Sequence, residues 1–400
     1  MPYYIGDVIK DAGRLIARTP EKFEETGVRV RLNTAVEEID TAKGEVRVAG
    51  GERFPFDSLV LATGAVATLP QIPGVDTEGV FILKNLRDAI TIKEYLSENR
   101  CRKVLVVGAG FIAMEICEAL RTRNIDAEVI YRGELPVKRW DPDFSRLVLD
   151  ELNAHGVSFV SGTTPLAVEK GAQYRLRLLT DGGPYEGDMI LMALGVRPNT
   201  VLAEAVGIAL GKSGAIGVDF SQQTSREGFY AAGDCCEVYH RVMQEWVNMP
   251  LGDIANKQGR VAGSSIGGAP RTFPGVVGAQ SFKVFNLELA LTGISERDAE
   301  KRGFDPLSVI IWGTPSARSL NIDKKRLGLK LIADRKSGRL IGAQAIGEAG
   351  AVSRVNVLSL GLWNGMTVDE IGYIDLAYSP PFSGAWDTIH IAAQKLAKAF

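Results

Sequence analysis

The stretch Arg102–Arg132 constrains the fold more than any other part of the chain. Its apolar run Val104–Val107 predicts a short buried strand of a parallel sheet, and a turn of small residues follows. Apolar residues at helical spacing over Phe111–Leu120 then predict a helix, and Ala127–Tyr131 predicts a second strand. Strand, turn, helix and strand in this order are the setting that a dinucleotide-binding fingerprint requires. The alternative is a glycine-containing turn in an α/β protein that binds no nucleotide.

Three small residues in this stretch have separate physical roles in such a fingerprint. Gly108 permits the tight exit from the strand, Gly110 lets the backbone approach a pyrophosphate, and Ala113 lets the helix pack close to the sheet. The pyrophosphate would lie at the helix N-terminus, where unpaired N–H groups and the helix dipole favour an anion. The pattern therefore predicts a dinucleotide site.

The end of the second strand indicates which nucleotide is bound. An acidic residue at this position normally accepts the ribose 2′-hydroxyl, but here Tyr131 and Arg132 follow the strand and Lys138 lies nearby. A carboxylate would repel a 2′-phosphate, whereas a guanidinium can bind it with two hydrogen bonds. We therefore expect NADPH rather than NADH. The alternative is that Arg132 is only a solvated loop charge.

The composition excludes several other classes of protein. A chain of 400 residues is long enough for two or three domains, and a formal net charge of −2 gives no reason to expect nucleic acid or a membrane surface as a partner. No apolar run approaches the length of a membrane span, so we expect a cytoplasmic protein. The four cysteines and three histidines have no metal-ligand spacing.

Two parts of the chain repeat one organisation. An antiparallel meander predicted over residues 36–56 precedes the buried strand Ser58–Gly64, and strands predicted over residues 157–179 precede the buried strand Met189–Gly195. Each buried strand ends in a glycine turn, which predicts two nucleotide-binding domains, one inserted into the other. Val28–Leu32 alternates like a further strand. From about Phe273, strands followed by helices predict a separate α+β domain.

A series of motifs makes the chain recognisable. The fingerprint is followed by Ala193–Asn199 (ALGVRPN), Tyr230–Cys235 (YAAGDC) and Leu251–Gly263 (LGDIANKQGRVAG). This series resembles the flavin-dependent pyridine nucleotide–disulfide oxidoreductases, above all the branch of coenzyme A disulfide reductases and NADH oxidases. Asp375–Asp387 resembles the dimerisation domain of that branch. The resemblance covers essentially the whole chain.

The resemblance implies three domains and a set of cofactor contacts. Residues 1–98 and 196–270 would form a discontinuous FAD-binding domain, residues 99–195 an NAD(P)H-binding domain and residues 271–400 a dimerisation domain. The fold class implied is α/β, with two Rossmann-like domains, the FAD domain being N-terminally incomplete, and a C-terminal α+β domain. The residues matched to cofactor-binding motifs outside the fingerprint are Thr63, Gly64, Gly195, Arg197, Gly233, Asp234, Leu251 and Gly252.

The resemblance also assigns individual roles. Asp234 would hold the ribityl chain of FAD, and the helix after Gly252 would direct its N-terminus at the pyrimidine end of the flavin. Phe111 matches an aromatic gate over the flavin, Glu115 a carboxylate beside the nicotinamide, and Tyr378 a tyrosine that reaches the partner subunit's active site. The alternatives are core packing for Phe111 and Tyr378 and a solvated helix charge for Glu115.

The implied reaction is a relay in a homodimer. NADPH or NADH reduces FAD, and the flavin reduces an active-site thiol that acts on a CoA-type disulfide, persulfide or polysulfide. Lys10, Arg14 and Arg18 lie where some relatives bind CoA phosphates, although solvated charges are the alternative. Two other functions stay open: an NAD(P)H oxidase that reduces oxygen, and a catalytically inactive nucleotide-binding module.

One departure from the family pattern bears on this relay. Family members begin with a βαβ unit that carries its own FAD fingerprint, and a redox cysteine follows it; neither occurs before Met1-Pro2-Tyr3-Tyr4. We interpret this as a truncation at an internal methionine rather than a natural form without the thiol. We expect the chain alone to bind FAD weakly or not at all and to lack disulfide reductase activity. Cys235 and Cys236 are interpreted as packing residues.

Overall fold

The computed structural model describes residues 1–400, which form a mixed α/β protein. The helices are α1 Pro2–Ile5, α2 Pro20–Glu24, α3 Leu86–Glu98, α4 Phe111–Thr122, α5 Pro142–Ala154, α6 Val201–Ala205, α7 Gly252–Ile266, α8 Glu296–Lys301, α9 Ala351–Trp363, α10 Val368–Ile371 and α11 Thr388–Ala397. None of these helices has the length and apolar character needed to cross a membrane.

The strands number twenty-two. They are β1 Val36–Asp40, β2 Glu45–Val48, β3 Arg53–Pro55, β4 Leu59–Leu61, β5 Ala65–Ala67, β6 Val80–Phe81, β7 Lys103–Val107, β8 Asp126–Ile130, β9 Ser158–Val160, β10 Pro165–Lys170, β11 Leu176–Thr180, β12 Gly183–Gly187, β13 Met189–Met192, β14 Val196–Pro198, β15 Phe229–Ala231, β16 Val238–His240, β17 Glu245–Val247, β18 Gln280–Val284, β19 Leu287–Gly293, β20 Pro306–Gly313, β21 Leu327–Asp334 and β22 Leu340–Gly347.

The chain divides into two compact units. The first consists of Met1–Lys10, Leu69–Gly195 and Val277–Phe400, and the second of Asp11–Thr68 and Val196–Val276. The first unit therefore contains both the fingerprint and the C-terminal sheet. The three-domain division expected from the sequence stays a prediction.

A parallel sheet carries the fingerprint in the first unit. Its strands lie in the order β6-β13-β7-β8-β9, and every neighbouring pair is parallel. The central strand β7 is almost wholly buried, as the unbroken apolar run Val104–Val107 predicts for a strand that is covered on both faces. The antiparallel insertion β10-β11-β12 precedes β13.

The C-terminal part of the first unit is an antiparallel sheet with helices. Its strand order is β18-β19-β22-β21-β20, with α9 packed on β19 and β22 and α11 packed on β20 and β21. Every residue of β21 and β22 is buried. Buried side chains of α4 and α5 and of β18 and β19 belong to one hydrophobic cluster, so the parallel sheet and this domain share a core.

The second unit contains the counterpart of the parallel strand β13. The meander β1-β2-β3 precedes β4, which pairs in parallel with β15, and β5 pairs with β14. The predicted repetition of an antiparallel insertion followed by a strand with a parallel partner is therefore confirmed. The burial predicted for the first of these strands is wrong, because Val60 in β4 is exposed and only Leu61 is buried, whereas every residue of β13 is buried. The strand predicted at Val28–Leu32 is wrong, because the backbone there is irregular and both Val28 and Leu32 are exposed.

Candidate nucleotide-binding sites

The fingerprint turn lies at the carboxyl edge of the parallel sheet. Gly108 has a φ of +115°, and a Cβ there would lie 2.4 Å from the carbonyl oxygen of Ala193 at the end of β13. The Gly108 N–H donates to the carbonyl of Ile130, the last residue of β8, at 2.9 Å. Both the backbone angle and the close approach therefore require glycine. Gly195, with a φ of +96°, lies in the turn after β13 at the same edge.

The N-terminus of α4 is open to a ligand. Gly110 is its N-cap residue and supplies no side chain to pair the N–H groups of the first turn. A Cβ on Gly110 would meet no atom within 4 Å, so packing does not require glycine there. Ala113 is fully buried where α4 meets the sheet. The turn therefore presents uncapped N–H groups, as an anion site needs.

Two positively charged side chains follow the end of β8, at the carboxyl edge of the parallel sheet. Tyr131 packs its ring edge-on against Phe159 at 6.2 Å between centroids. Arg132 and Lys138 are exposed, and neither makes an ion pair. Val137, which lies between them in the chain, donates its N–H to the carbonyl of Ala109 at 2.8 Å. This loop is thus joined to the fingerprint turn by a contact that no local sequence pattern predicts.

Phe111 and Glu115 lie one turn apart on α4. Phe111 is 41% exposed, so it is not a core residue. Glu115 is half-buried, and burial raises its pKa to about 7. The charge of the Met1 amino group lowers the pKa of Glu115, and the charge of Glu118 raises it. A carboxyl group that titrates near neutrality is a candidate functional group.

In the second unit, two predicted turns meet at the ends of parallel strands. Thr63 and Gly64 follow β4, and Gly233 and Asp234 follow β15; the Ala232 N–H donates to the Leu61 carbonyl at 3.1 Å. Gly64 and Gly233 have φ values of +66° and +88°. Carboxyl ends of adjacent parallel strands are where open α/β sheets bind ligands.

Asn199 and Gln258 hold these two turns in place. The Thr63 hydroxyl donates to the Asn199 carbonyl at 2.5 Å, and the Asn199 N–H donates to the Gly64 carbonyl at 2.9 Å. Gln258, which is buried, accepts from the Gly233 N–H at 2.9 Å. The sequence argument missed Gln258, although it lies inside the quoted motif Leu251–Gly263.

The helix α7 begins beside these turns. Its N-cap Leu251 makes no side-chain cap, so the first-turn N–H groups from Gly252 onward are uncapped. A Cβ on Gly233 would lie 3.6 Å from the Ala255 side chain in the first turn of α7. Arg197 on β14 is exposed and makes no ion pair.

All four cysteines are buried. Burial raises the pKa of Cys101 to about 11 and that of Cys117 to about 12. The neighbouring Cys235 sulfur and burial raise the pKa of Cys236, whose Sγ lies 3.5 Å from the Gly233 carbonyl. The Cys235 thiol also lies 3.3 Å from the Leu61 carbonyl. None of these sulfurs is exposed to a substrate.

Tyr378 lies in the irregular segment between α10 and α11 and is 55% exposed. Large apolar side chains on and around this segment are exposed as well: Tyr373, Phe382 and Trp386. Core packing, the alternative stated for Tyr378, is therefore wrong.

Comparison with known protein families shows which family the chain belongs to. The profile of the pyridine nucleotide-disulphide oxidoreductases matches residues 5–252, and the profile of their dimerisation domain matches residues 279–390. The chain belongs to this family.

Individual members of the family share nearly the full length of the chain. An NAD(P)H sulfur oxidoreductase (CoA-dependent) of Pyrococcus furiosus is 34% identical, over 98% of this chain and 89% of the relative. An NADH oxidase of Methanocaldococcus jannaschii is 32% identical, over 100% and 89%. The solved structure of an NAD-dependent persulfide reductase from A. fulgidus matches with a TM-score of 0.95 and 34% identity, over 100% and 75%.

Membership confirms the resemblance inferred from the motifs. The chain is of the FAD- and NAD(P)H-dependent disulfide oxidoreductase class, with a C-terminal dimerisation domain. The uncapped helix ends and the glycine turns fit nucleotide cofactors in both units. The roles given to individual residues stay predictions.

Proposed function

We propose that this protein binds NADPH at the Gly108–Gly110 turn and passes its hydride to FAD, for the reduction of CoA-type disulfides, persulfide or polysulfide. The observation that carries the choice of NADPH is Arg132. It lies two residues after Ile130, whose carbonyl accepts a hydrogen bond from the Gly108 N–H. The guanidinium is exposed, makes no ion pair and follows a strand that ends without a carboxylate.

Electrostatics favours a 2′-phosphate at this position. Arg132 and Lys138 are both unpaired, so a phosphate would neutralise charges that have no internal partner. A guanidinium can donate two parallel hydrogen bonds to a phosphate, whereas the 2′-hydroxyl of NADH offers no charge. The same two cations would therefore contribute more to NADPH binding than to NADH binding.

The test is the affinity of Arg132→Ala for each nucleotide. Losing a charge-assisted hydrogen bond weakens NADPH binding by about tenfold or more, while NADH binding changes little. Arg146→Ala is the matched control, because Arg146 is exposed on α5 and makes no ion pair. Binding is followed by the fluorescence of the reduced nucleotide. Equal losses for NADPH and NADH in Arg132→Ala would contradict the proposal.

In the second unit we assign the flavin contacts to the two turns and to α7. Bound FAD supplies the two-electron acceptor that takes hydride and passes electrons on. Asp234 would accept a hydrogen bond from a ribityl hydroxyl, and Thr63 and Gly64 would lie against the dinucleotide. The uncapped start of α7 at Gly252 would stabilise negative charge on a reduced ring.

The names of the relatives and the charges on the surface support a CoA-type disulfide, persulfide or polysulfide as the electron acceptor. The P. furiosus relative is named as a CoA-dependent sulfur oxidoreductase, and the A. fulgidus structure as a persulfide reductase. Lys10, Arg14 and Arg18 are exposed and make no ion pair, as contacts for CoA phosphates would be. Because all four cysteines are buried, we expect these 400 residues to show no thiol-dependent turnover.

A second candidate is an NAD(P)H oxidase, because an oxidase of this family shares every motif named above. The M. jannaschii relative carries that name. Product analysis in the presence of FAD, air and CoA disulfide separates the two functions. Formation of peroxide or water at the expense of NADPH supports the oxidase, and formation of free CoA thiol supports the disulfide reductase.

A further inference from the structure

A fully buried lysine lies under the loop that carries the proposed 2′-phosphate contacts. Lys330 on β21 is 2% exposed. Its Nζ lies 3.0 Å from the Asp141 carboxylate and 3.5 Å from that of Asp143, and it also bonds to Glu296. Asp141 and Asp143 flank the start of α5, whereas Lys330 and Glu296 belong to the C-terminal domain. The cluster therefore joins the start of α5 to the C-terminal sheet.

Gln344 supports the same contact from the next strand. It is the antiparallel neighbour of Lys330 on β22 and is 2% exposed. Its side-chain oxygen accepts from the Asp141 N–H at 2.9 Å, and its side-chain nitrogen donates to the Asp141 carboxylate at 2.9 Å. Asp141 is thus bound through both its backbone and its side chain.

This arrangement is not what stability alone would select. Burying an ammonium group is costly unless it is paired, and an apolar side chain of similar size would often be as stable in its place. Asp141 is the N-cap residue of α5, yet its carboxylate makes no helix cap and faces Lys330 and Gln344 instead. The contact fixes where α5 begins relative to the C-terminal sheet.

The loop Tyr131–Trp140 ends at this anchor. Trp140 is buried, and its ring packs edge-on against Phe282 of β18 at 5.2 Å between centroids. Further back, Val137 is held at a φ of +48°, which a β-branched residue rarely adopts. Its N–H donates to the Ala109 carbonyl in the fingerprint turn. The strained conformation indicates that the surroundings determine the course of the loop.

We propose that Lys330 is a positioning residue for the nucleotide. Through Asp141 it fixes the end of the Tyr131–Trp140 loop, and the loop in turn sets the distance of Arg132 and Lys138 from the fingerprint turn. The C-terminal domain thereby determines how well the site accepts a 2′-phosphate. This inference rests on the NADPH site proposed above.

The test compares two variants with a matched control in the full chain. Lys330→Met removes the ammonium group and keeps the length of the side chain. Gln344→Met removes the two hydrogen bonds to Asp141 without removing a charge. It therefore tests the same contact if Lys330→Met does not fold. Lys103→Met is the control. Lys103 pairs with Glu128 at 2.8 Å at the start of β7, whereas the fingerprint turn follows the other end of that strand.

The ligands are 2′,5′-ADP and 5′-ADP, titrated calorimetrically without flavin or turnover. We expect Lys330→Met and Gln344→Met to bind 2′,5′-ADP about tenfold more weakly, with a smaller loss for 5′-ADP, since a displaced loop loses a charge-assisted contact. Trypsin should also cleave after Arg132 and Lys138 faster in both variants than in Lys103→Met. A merely structural role would not change the preference between the two ligands.

Two results would overturn the inference. One is wild-type affinity for 2′,5′-ADP in both variants, and the other is an equal loss in Lys103→Met. Failure of the NADPH proposal is recognised separately, because the wild-type chain would then bind 5′-ADP as tightly as 2′,5′-ADP. If the wild-type chain prefers 2′,5′-ADP but both variants lose affinity for the two ligands equally, the inference about Lys330 fails while the NADPH proposal stands.

Discussion

At the scale of single residues, the ionisation of Glu115 connects the environment of α4 with the chemistry proposed there. Burial raises the pKa of this carboxyl group from 4.5 to about 7. An ionised carboxylate beside a nicotinamide would stabilise the positive charge that the ring gains as hydride leaves. We therefore expect the rate at which NADPH reduces FAD added in excess to rise with pH through about 7.

The variant Glu115→Gln should abolish this pH dependence. Because the pKa in the folded chain exceeds that in the unfolded chain, the free energy of unfolding falls as pH rises from about 4.5 to about 7. Glu115→Gln should then be more stable than the wild type by about 2 kcal/mol at pH 8 and unchanged at pH 4. Urea unfolding at both pH values measures this. Glu98→Gln, an exposed control on α3, should show no such difference, and a stability gain of equal size at pH 4 would contradict the assignment.

At the scale of secondary structure elements, the fingerprint separates a glycine needed for folding from one needed for binding. Gly108 has a left-handed φ and a backbone oxygen within 2.4 Å of a Cβ position, whereas Gly110 has open space and a φ of −81°. The two glycines of the motif therefore meet different requirements: Gly108 is needed for the backbone conformation, and Gly110 leaves room for a ligand.

Substituting each glycine by alanine should separate these requirements. Gly108→Ala should lower the free energy of unfolding by about 3 kcal/mol, because the strand exit must move. Gly110→Ala should cost less than about 1 kcal/mol in stability, since Ala is only a poorer N-cap, but should strongly weaken NADPH binding. Thermal unfolding and nucleotide fluorescence together test this. Loss of stability in Gly110→Ala equal to that in Gly108→Ala would refute the distinction.

The sequence predicted elements well where the signal is local. The strand at Val104–Val107 and the helix over Phe111–Leu120 were identified because the apolar run and the helical spacing lie within each segment. Val28–Leu32 has the alternation of a strand but no partner strand to pair with, and alternation alone does not form one. The contacts of Lys330 with Asp141 and of Val137 with Ala109 join segments that are distant in the sequence, so no local pattern predicts them.

At the scale of the whole molecule, the C-terminal domain presents an apolar surface. Tyr373, Tyr378, Phe382 and Trp386 are each more than half exposed, in the part of the chain that matches the family's dimerisation domain. Exposed apolar clusters of this kind mark protein–protein interfaces. We propose that they form the interface of a homodimer.

A charge at this surface should separate the subunits. Phe382 is 73% exposed, so Phe382→Asp should leave the fold intact while placing an unpaired carboxylate in the interface. Light scattering after size exclusion should then report a monomer. Leu166→Asp is the control, because Leu166 is 52% exposed on β10, outside the dimerisation domain. A dimer in both variants would place the interface elsewhere.

The central claim, a nicotinamide site built for the 2′-phosphate, is tested most directly by titrating the wild-type chain with NADPH and NADH at low and high salt. We expect NADPH to bind about tenfold more tightly at low salt, and the advantage to shrink as salt screens Arg132 and Lys138. Equal affinities at low salt, or tighter binding of NADH, would contradict the claim.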